Sequence, residues 1–123
     1  MIAKNITELI GNTPMIELKM KNNDWKVYLK LEKFNPGGSM KDRMALNMIN
    51  QAEKDGKLKP GGTIIESSSG NTAIGLAIAS AIKGYKFIAV VDHHASKEKI
   101  DMIKAYGGNI VVAGDGYKDN EVA

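Results

Sequence analysis

The run Asn35-Pro36-Gly37-Gly38-Ser39-Met40-Lys41-Asp42-Arg43 sets a lysine behind a glycine turn and a capping serine, at the start of what reads as a helix. An amine in water is almost wholly protonated, and it becomes a nucleophile only where burial or neighbouring positive charge favours the neutral form. The N-terminus of a helix supplies part of such a field through its dipole and unpaired N–H groups. Arg43 adds a like charge nearby. Lys41 is therefore the candidate for covalent chemistry. Further along, Glu66-Ser67-Ser68-Ser69-Gly70-Asn71-Thr72 gathers four hydroxyls and an amide at the entrance to a second helix, a layout suited to holding a carboxylate. Gly70 lets the backbone come close to a bound group. An amine nucleophile and a carboxylate cradle together point to amino-acid chemistry.

These groups need elements to hold them. Ile6 to Ile10 reads as a short amphipathic turn, broken by Gly11-Asn12-Thr13-Pro14. Met15 to Lys19 and Lys26 to Glu32 are expected strands. In the second, Val27, Leu29 and Leu31 alternate with Lys26, Tyr28 and Lys30, and Lys21-Asn22-Asn23-Asp24 joins the two as a hairpin. Ser39 is the expected N-cap of the next helix, with Asp42 as the acidic partner of a capping box. Met40, Met44, Ala45, Met48, Ile49 and Ala52 recur at helical spacing, and Gly56 marks the stop. The methionines on that stripe read as core. From Thr63 the rhythm becomes strand, helix, strand, helix, strand, over Thr63 to Glu66, Thr72 to Lys83, Phe87 to Val91, Lys97 to Tyr106 and Ile110 to Ala113. That is a parallel βαβαβ unit, an α/β fold. Right-handed crossovers put both helices on one face of such a sheet unless the strand order reverses. A reversal would open a crevice at the strand C-termini, where the serine-rich loop lies.

Composition narrows the function classes. A chain of 123 residues, 43% apolar and 25% charged, suits one compact folded core. The net charge of +3 is spread along the sequence without a basic run, so no nucleic-acid partner is expected. There is no cysteine, which removes disulfides and thiolate chemistry and fits a reducing cytoplasm. No segment reads as a secretory leader or a membrane span, and no membrane partner is expected. His93 and His94 are adjacent, whereas two ligands from one helix face need a spacing of three or four, so no metal site is expected. Asp115 and Asp119 read as solvated turn residues, since a calcium loop would need more ligands.

The Asn-Pro-Gly-Gly-Ser-x-Lys-Asp-Arg string, with Gly11-Asn12-Thr13-Pro14 before it and Ser69-Gly70-Asn71-Thr72 after it, resembles the cysteine synthase and cystathionine β-synthase family of pyridoxal-phosphate enzymes. The resemblance runs from Ile6 to Gly108. It implies the open parallel sheet of the small domain of the tryptophan-synthase-β-like fold, preceded by a hairpin from the large domain. Residues 1–45 would belong to the large cofactor domain and residues 46–123 to the small one. It implies pyridoxal 5'-phosphate as cofactor, with the lysine matching Lys41 holding it and moving protons at the substrate α-carbon. Asn71 would bond the cofactor's ring oxygen, and Ser68, Ser69, Gly70, Asn71 and Thr72 would grip the substrate carboxylate. The implied activity is β-replacement on an activated serine, O-acetylserine or O-phosphoserine, by sulfide, in a cytoplasmic homo-oligomer.

Departures from the family pattern leave the acceptor open. Ser68 stands where threonine is usual, Ala73 where glycine is usual, and Val91-Asp92 where Met-Pro is usual. The Gly-Gly-Ser-Met-Lys-Asp-Arg form is also similar to the subgroup that condenses O-phosphoserine with glutamate on the way to diaminopropionate. The family's phosphate-binding loop and its hydroxyl partner for the pyridine nitrogen lie downstream of the 123 residues. Gly61-Gly62-Thr63 mimics that loop in composition but leads into a strand, and so reads as punctuation. The sequence is therefore expected to be a truncated or split form, inactive alone, whose site is completed either by further sequence or by a complementing chain. The alternative is a non-catalytic remnant that acts in binding or assembly.

Overall fold

The computed structural model describes residues 2–21 and 25–114, so most of the expected hairpin joint, residues 22–24, and the expected turn residues Asp115 and Asp119 lie outside the described part. A 3-10 turn at Ile6–Leu9 leads to a hairpin of β1 (Met15–Leu18) and β2 (Val27–Lys30), paired antiparallel with Ile16 opposite Leu29. A second 3-10 turn, Glu32–Phe34, delivers the glycine turn and then α1 (Lys41–Lys54). The expected βαβαβ unit follows as β3 (Thr63–Ser67), α2 (Asn71–Lys83), β4 (Lys86–Val91), α3 (Lys97–Ala105) and β5 (Asn109–Val112).

The three strands are parallel in the order β3-β4-β5, with Ile64 beside Phe87 and Ala89 beside Ile110. Alternation along β4 buries Phe87, Ala89 and Val91 against the helices. The other face carries Ile65, Ile88, Val90 and Val111, with Ile65 63% exposed. Among the described strands the order does not reverse, so no switch-point crevice forms. Instead the serine-rich loop leaves the C-terminal end of β3, an edge strand.

Helix α2 is the centre of the core. Ala73 to Ser80 are all buried, because α1 packs on one side of the helix and the sheet on the other. Gly75 permits the helix crossing. A Cβ at that position would sit 3.0 Å from Ala45 Cβ, 3.1 Å from the Lys41 carbonyl oxygen and 3.2 Å from Asp42 Cα. Two expectations change here. The methionine stripe of α1 is not core: Ala45 and Ile49 are buried, while Met40, Met44 and Met48 form an exposed ridge beside them. Nor does a capping box form. The Ser39 hydroxyl accepts the Lys41 N–H at 3.1 Å, but the Asp42 carboxylate turns back to the Gly37 N–H and leaves the Ser39 N–H alone.

Candidate active site

Lys41 is the first residue of α1 and is half-buried. The turn before it is closed by the Gly38 N–H donating to the Asn35 carbonyl at 2.8 Å, with Gly38 at φ +82°. L-residues rarely adopt that φ, so glycine is required there. The charge that the sequence assigned to Arg43 as a neighbour of Lys41 is compensated. Its guanidinium grips Glu32 through Nε at 2.9 Å and Nη2 at 3.0 Å, a forked contact that neutralises it.

That ion pair is the hub of a polar cluster. The Thr13 hydroxyl donates to Glu32 at 2.6 Å, the Asn35 amide donates to Glu32 at 2.9 Å, and the Gly11 N–H donates to the Asn35 side chain at 2.8 Å. The Gly11-Asn12-Thr13-Pro14 segment is thereby tied to the turn that carries Lys41. Arg43, then the Thr13 hydroxyl, hold the Glu32 carboxyl down from an ordinary 4.5 to about 2. Asp42 goes the other way: burial pushes its carboxyl up, against the pull of the Gly37 N–H.

The loop expected to hold a carboxylate ends at Gly70, which precedes the first turn of α2. Among the described residues no side chain caps that turn, so the N–H groups at its start are open to another acceptor. Ser68 accepts the Gly70 N–H at 3.2 Å and shapes the loop. Ser68, Ser69, Gly70 and Thr72 are half-buried and Asn71 is exposed; the helix begins at Asn71, one residue earlier than expected. The contact at Gly75 brings the two regions together. Asn71 lies one turn of α2, roughly 6 Å, before the glycine that rests on the Lys41 carbonyl.

Sequence reasoning missed three contributors. Glu32 and Gly75 act through space on residues far away in the chain, and their types alone carry no signal. The third is Lys99 of α3, whose Nζ approaches the loop at 4.0 Å from where a Cβ on Gly70 would be.

Comparison with known proteins gives a consistent answer. The profile of the family described as pyridoxal-phosphate dependent enzyme matches residues 6–123. A cysteine synthase from Staphylococcus aureus is 51% identical over 110 residues, covering 88% of this chain and 36% of that protein. The crystal structure of an O-ureido-L-serine synthase superposes with a TM-score of 0.89 at 43% identity, over 98% of this chain and 39% of that one. A hydrogen sulfide-producing enzyme from Fusobacterium nucleatum gives 0.91 at 42% identity, over 96% and 39%. The chain thus spans between 36% and 39% of the length of these relatives. With the family profile running over nearly every residue, and the lysine turn and the serine loop meeting at one helix crossing, the chain belongs to the pyridoxal-phosphate-dependent enzyme family.

Proposed function

We propose that this chain carries the lysine and carboxylate-binding side of a pyridoxal-phosphate site for β-replacement on an activated serine, such as O-acetylserine or O-phosphoserine. The observation that carries this reading is the Gly75 contact, which sets the start of α1 and the uncapped start of α2 within about one turn of each other.

The residues present fit the cofactor on one side. Lys41, a half-buried residue, offers its amine for the aldehyde carbon, and Asn71, an exposed one, offers its amide for the ring oxygen. Gly61-Gly62-Thr63 does not fit its phosphate: Gly61 has φ +73°, the Gly62 N–H closes a turn on the Lys59 carbonyl at 2.9 Å, and the chain then enters β3, not a helix. When bound, pyridoxal phosphate supplies an electron sink for negative charge at the substrate α-carbon. The chain's own groups do the rest. Ser68, Ser69, Gly70, Asn71 and Thr72 orient the substrate carboxylate on N–H and hydroxyl donors at the positive end of α2. Lys41, held on the turn that faces that end, takes the α-proton and returns it.

The acceptor nucleophile is left open by this stretch, since it is shared by proteins named for cysteine, O-ureido-L-serine and hydrogen sulfide production. We take sulfide as the first candidate because the curated relatives are cysteine synthases. The boundary at residues 45 and 46 falls inside the unbroken helix α1, which would carry motion between the two domains. Among the described residues no helix is long and apolar enough to cross a membrane. A cytoplasmic location, and assembly as a homo-oligomer or with a complementing chain, are part of the proposal.

Two-dimensional amide spectra test the carboxylate cradle directly. Titration with O-acetylserine is expected to move the amides of residues 69–74, and Ser69→Ala is expected to weaken binding by about 1.5–3 kcal/mol, the usual worth of a hydrogen bond to a charged group. Shifts elsewhere with residues 69–74 silent would contradict the reading.

A further inference from the structure

Asp42 is 1% exposed, yet only one of its carboxyl oxygens has a partner. Oδ2 accepts the Gly37 N–H, while Oδ1 has no hydrogen-bond partner among the described residues. A buried carboxyl left half-satisfied costs stability. The residue is therefore a poor candidate for simple core packing, and what it holds becomes the question.

It holds the turn that precedes Lys41. Gly37 lies so close that a Cβ there would come within 3.0 Å of Asp42 Cγ and overlap Oδ1, so the missing side chain of residue 37 and the carboxyl of residue 42 are one fitted unit. On the opposite side, Gly75 lets α2 rest on Asp42 Cα and the Lys41 carbonyl. The backbone of Lys41 is thus gripped from the turn by its neighbour's carboxyl and from the core by α2. A reacting group held in this way gains rate from orientation, and a misplacement of about 1 Å can cost a hundredfold.

We propose that Asp42 is a positioning residue, whose buried carboxyl clamps the Gly37-Gly38 turn so that the Lys41 amine is presented toward the start of α2. The proposal rests on the reading of Lys41 given above. It deepens that reading by assigning the orientation of the amine to a buried neighbour.

Two readouts test it on the 123-residue chain: amide hydrogen exchange at Gly37, and the extent of pyridoxal 5'-phosphate attachment at Lys41 relative to exposed Lys54 after borohydride reduction, read by peptide mass mapping. Asp42→Ala removes the acceptor. It is expected to speed Gly37 exchange by roughly tenfold or more and to lower the Lys41-to-Lys54 ratio by roughly tenfold, with exchange in α2 and α3 unchanged. Asp42→Asn keeps an oxygen for the Gly37 N–H and is expected to hold both readouts within about twofold of wild type. Should Asp42→Ala fail to fold, Gly37→Ala disturbs the clamp from the other side and is expected to lower the same ratio. A folded Asp42→Ala or Gly37→Ala with wild-type exchange and ratio overturns the proposal, as does an Asp42→Asn that loses as much as Asp42→Ala. If wild type itself shows no preference for Lys41, the lysine reading falls and the proposal with it. Wild-type preference that survives Asp42→Ala overturns the clamp alone.

Discussion

Glu32 illustrates how far a single residue's chemistry can be set by partners that the sequence does not announce. Its carboxyl is held down to about 2 by Arg43, Thr13 and Asn35, drawn from positions up to 30 residues apart. The sign of the linkage follows. The folded-state value lies below the unfolded one, so the ionised group stabilises the fold above about pH 4.5 and that contribution is lost as pH falls toward about 2. Urea midpoints measured across that window are expected to fall for wild type, and to fall less steeply for Glu32→Gln, which cannot titrate. Parallel profiles would show that the pair with Arg43 does not couple to folding. The residues proposed to carry the chemistry are of another kind. Lys41 and the serine loop stand in strings whose glycines and hydroxyls have local meaning, whereas Glu32, Gly75 and Lys99 acquire meaning only when distant segments meet.

At the level of elements, the hydrophobic rhythm located the hairpin, α1 and the whole βαβαβ unit within a residue or two at most ends. It did not reveal what lies against each face. The stripe on α1 has helical period from Met40 to Ala52, but period defines a face and not its cover, and the three methionines remain exposed. The capping box failed for a related reason: the Asp42 carboxyl had a closer donor in the Gly37 N–H, supplied by a tight turn whose shape the residue types leave open. The α1–α2 crossing depends on one glycine. Gly75→Val would drive a branched side chain into Ala45 and the first turn of α1. Overpacking of this kind costs about 1–3 kcal/mol, and we expect a loss of that size in urea denaturation. A neutral effect would mean that the helices do not meet at Gly75.

For the molecule as a whole, burial is uneven. Among the described residues the sheet has helices on one face only, and every residue of β1 is exposed, with Met15 and Ile16 more than half exposed. A lone two-stranded hairpin is marginal in water, and bare strand edges recruit other chains. The 123-residue chain is expected to self-associate in light scattering, and Ile16→Lys to reduce that association. A monomer at all concentrations, with β1 and β2 protected from hydrogen exchange, would contradict it. The central claim is that one lysine among the sixteen scattered along the chain is placed for covalent chemistry. A lysine-by-lysine map of pyridoxal 5'-phosphate attachment at limiting reagent, fixed by borohydride and read by mass spectrometry, tests it most directly. The account predicts that the Lys41 peptide carries the modification ahead of every other lysine, and that Lys41→Ala leaves only a low, even background. Equal labelling across the chain, or a dominant site elsewhere, would contradict it.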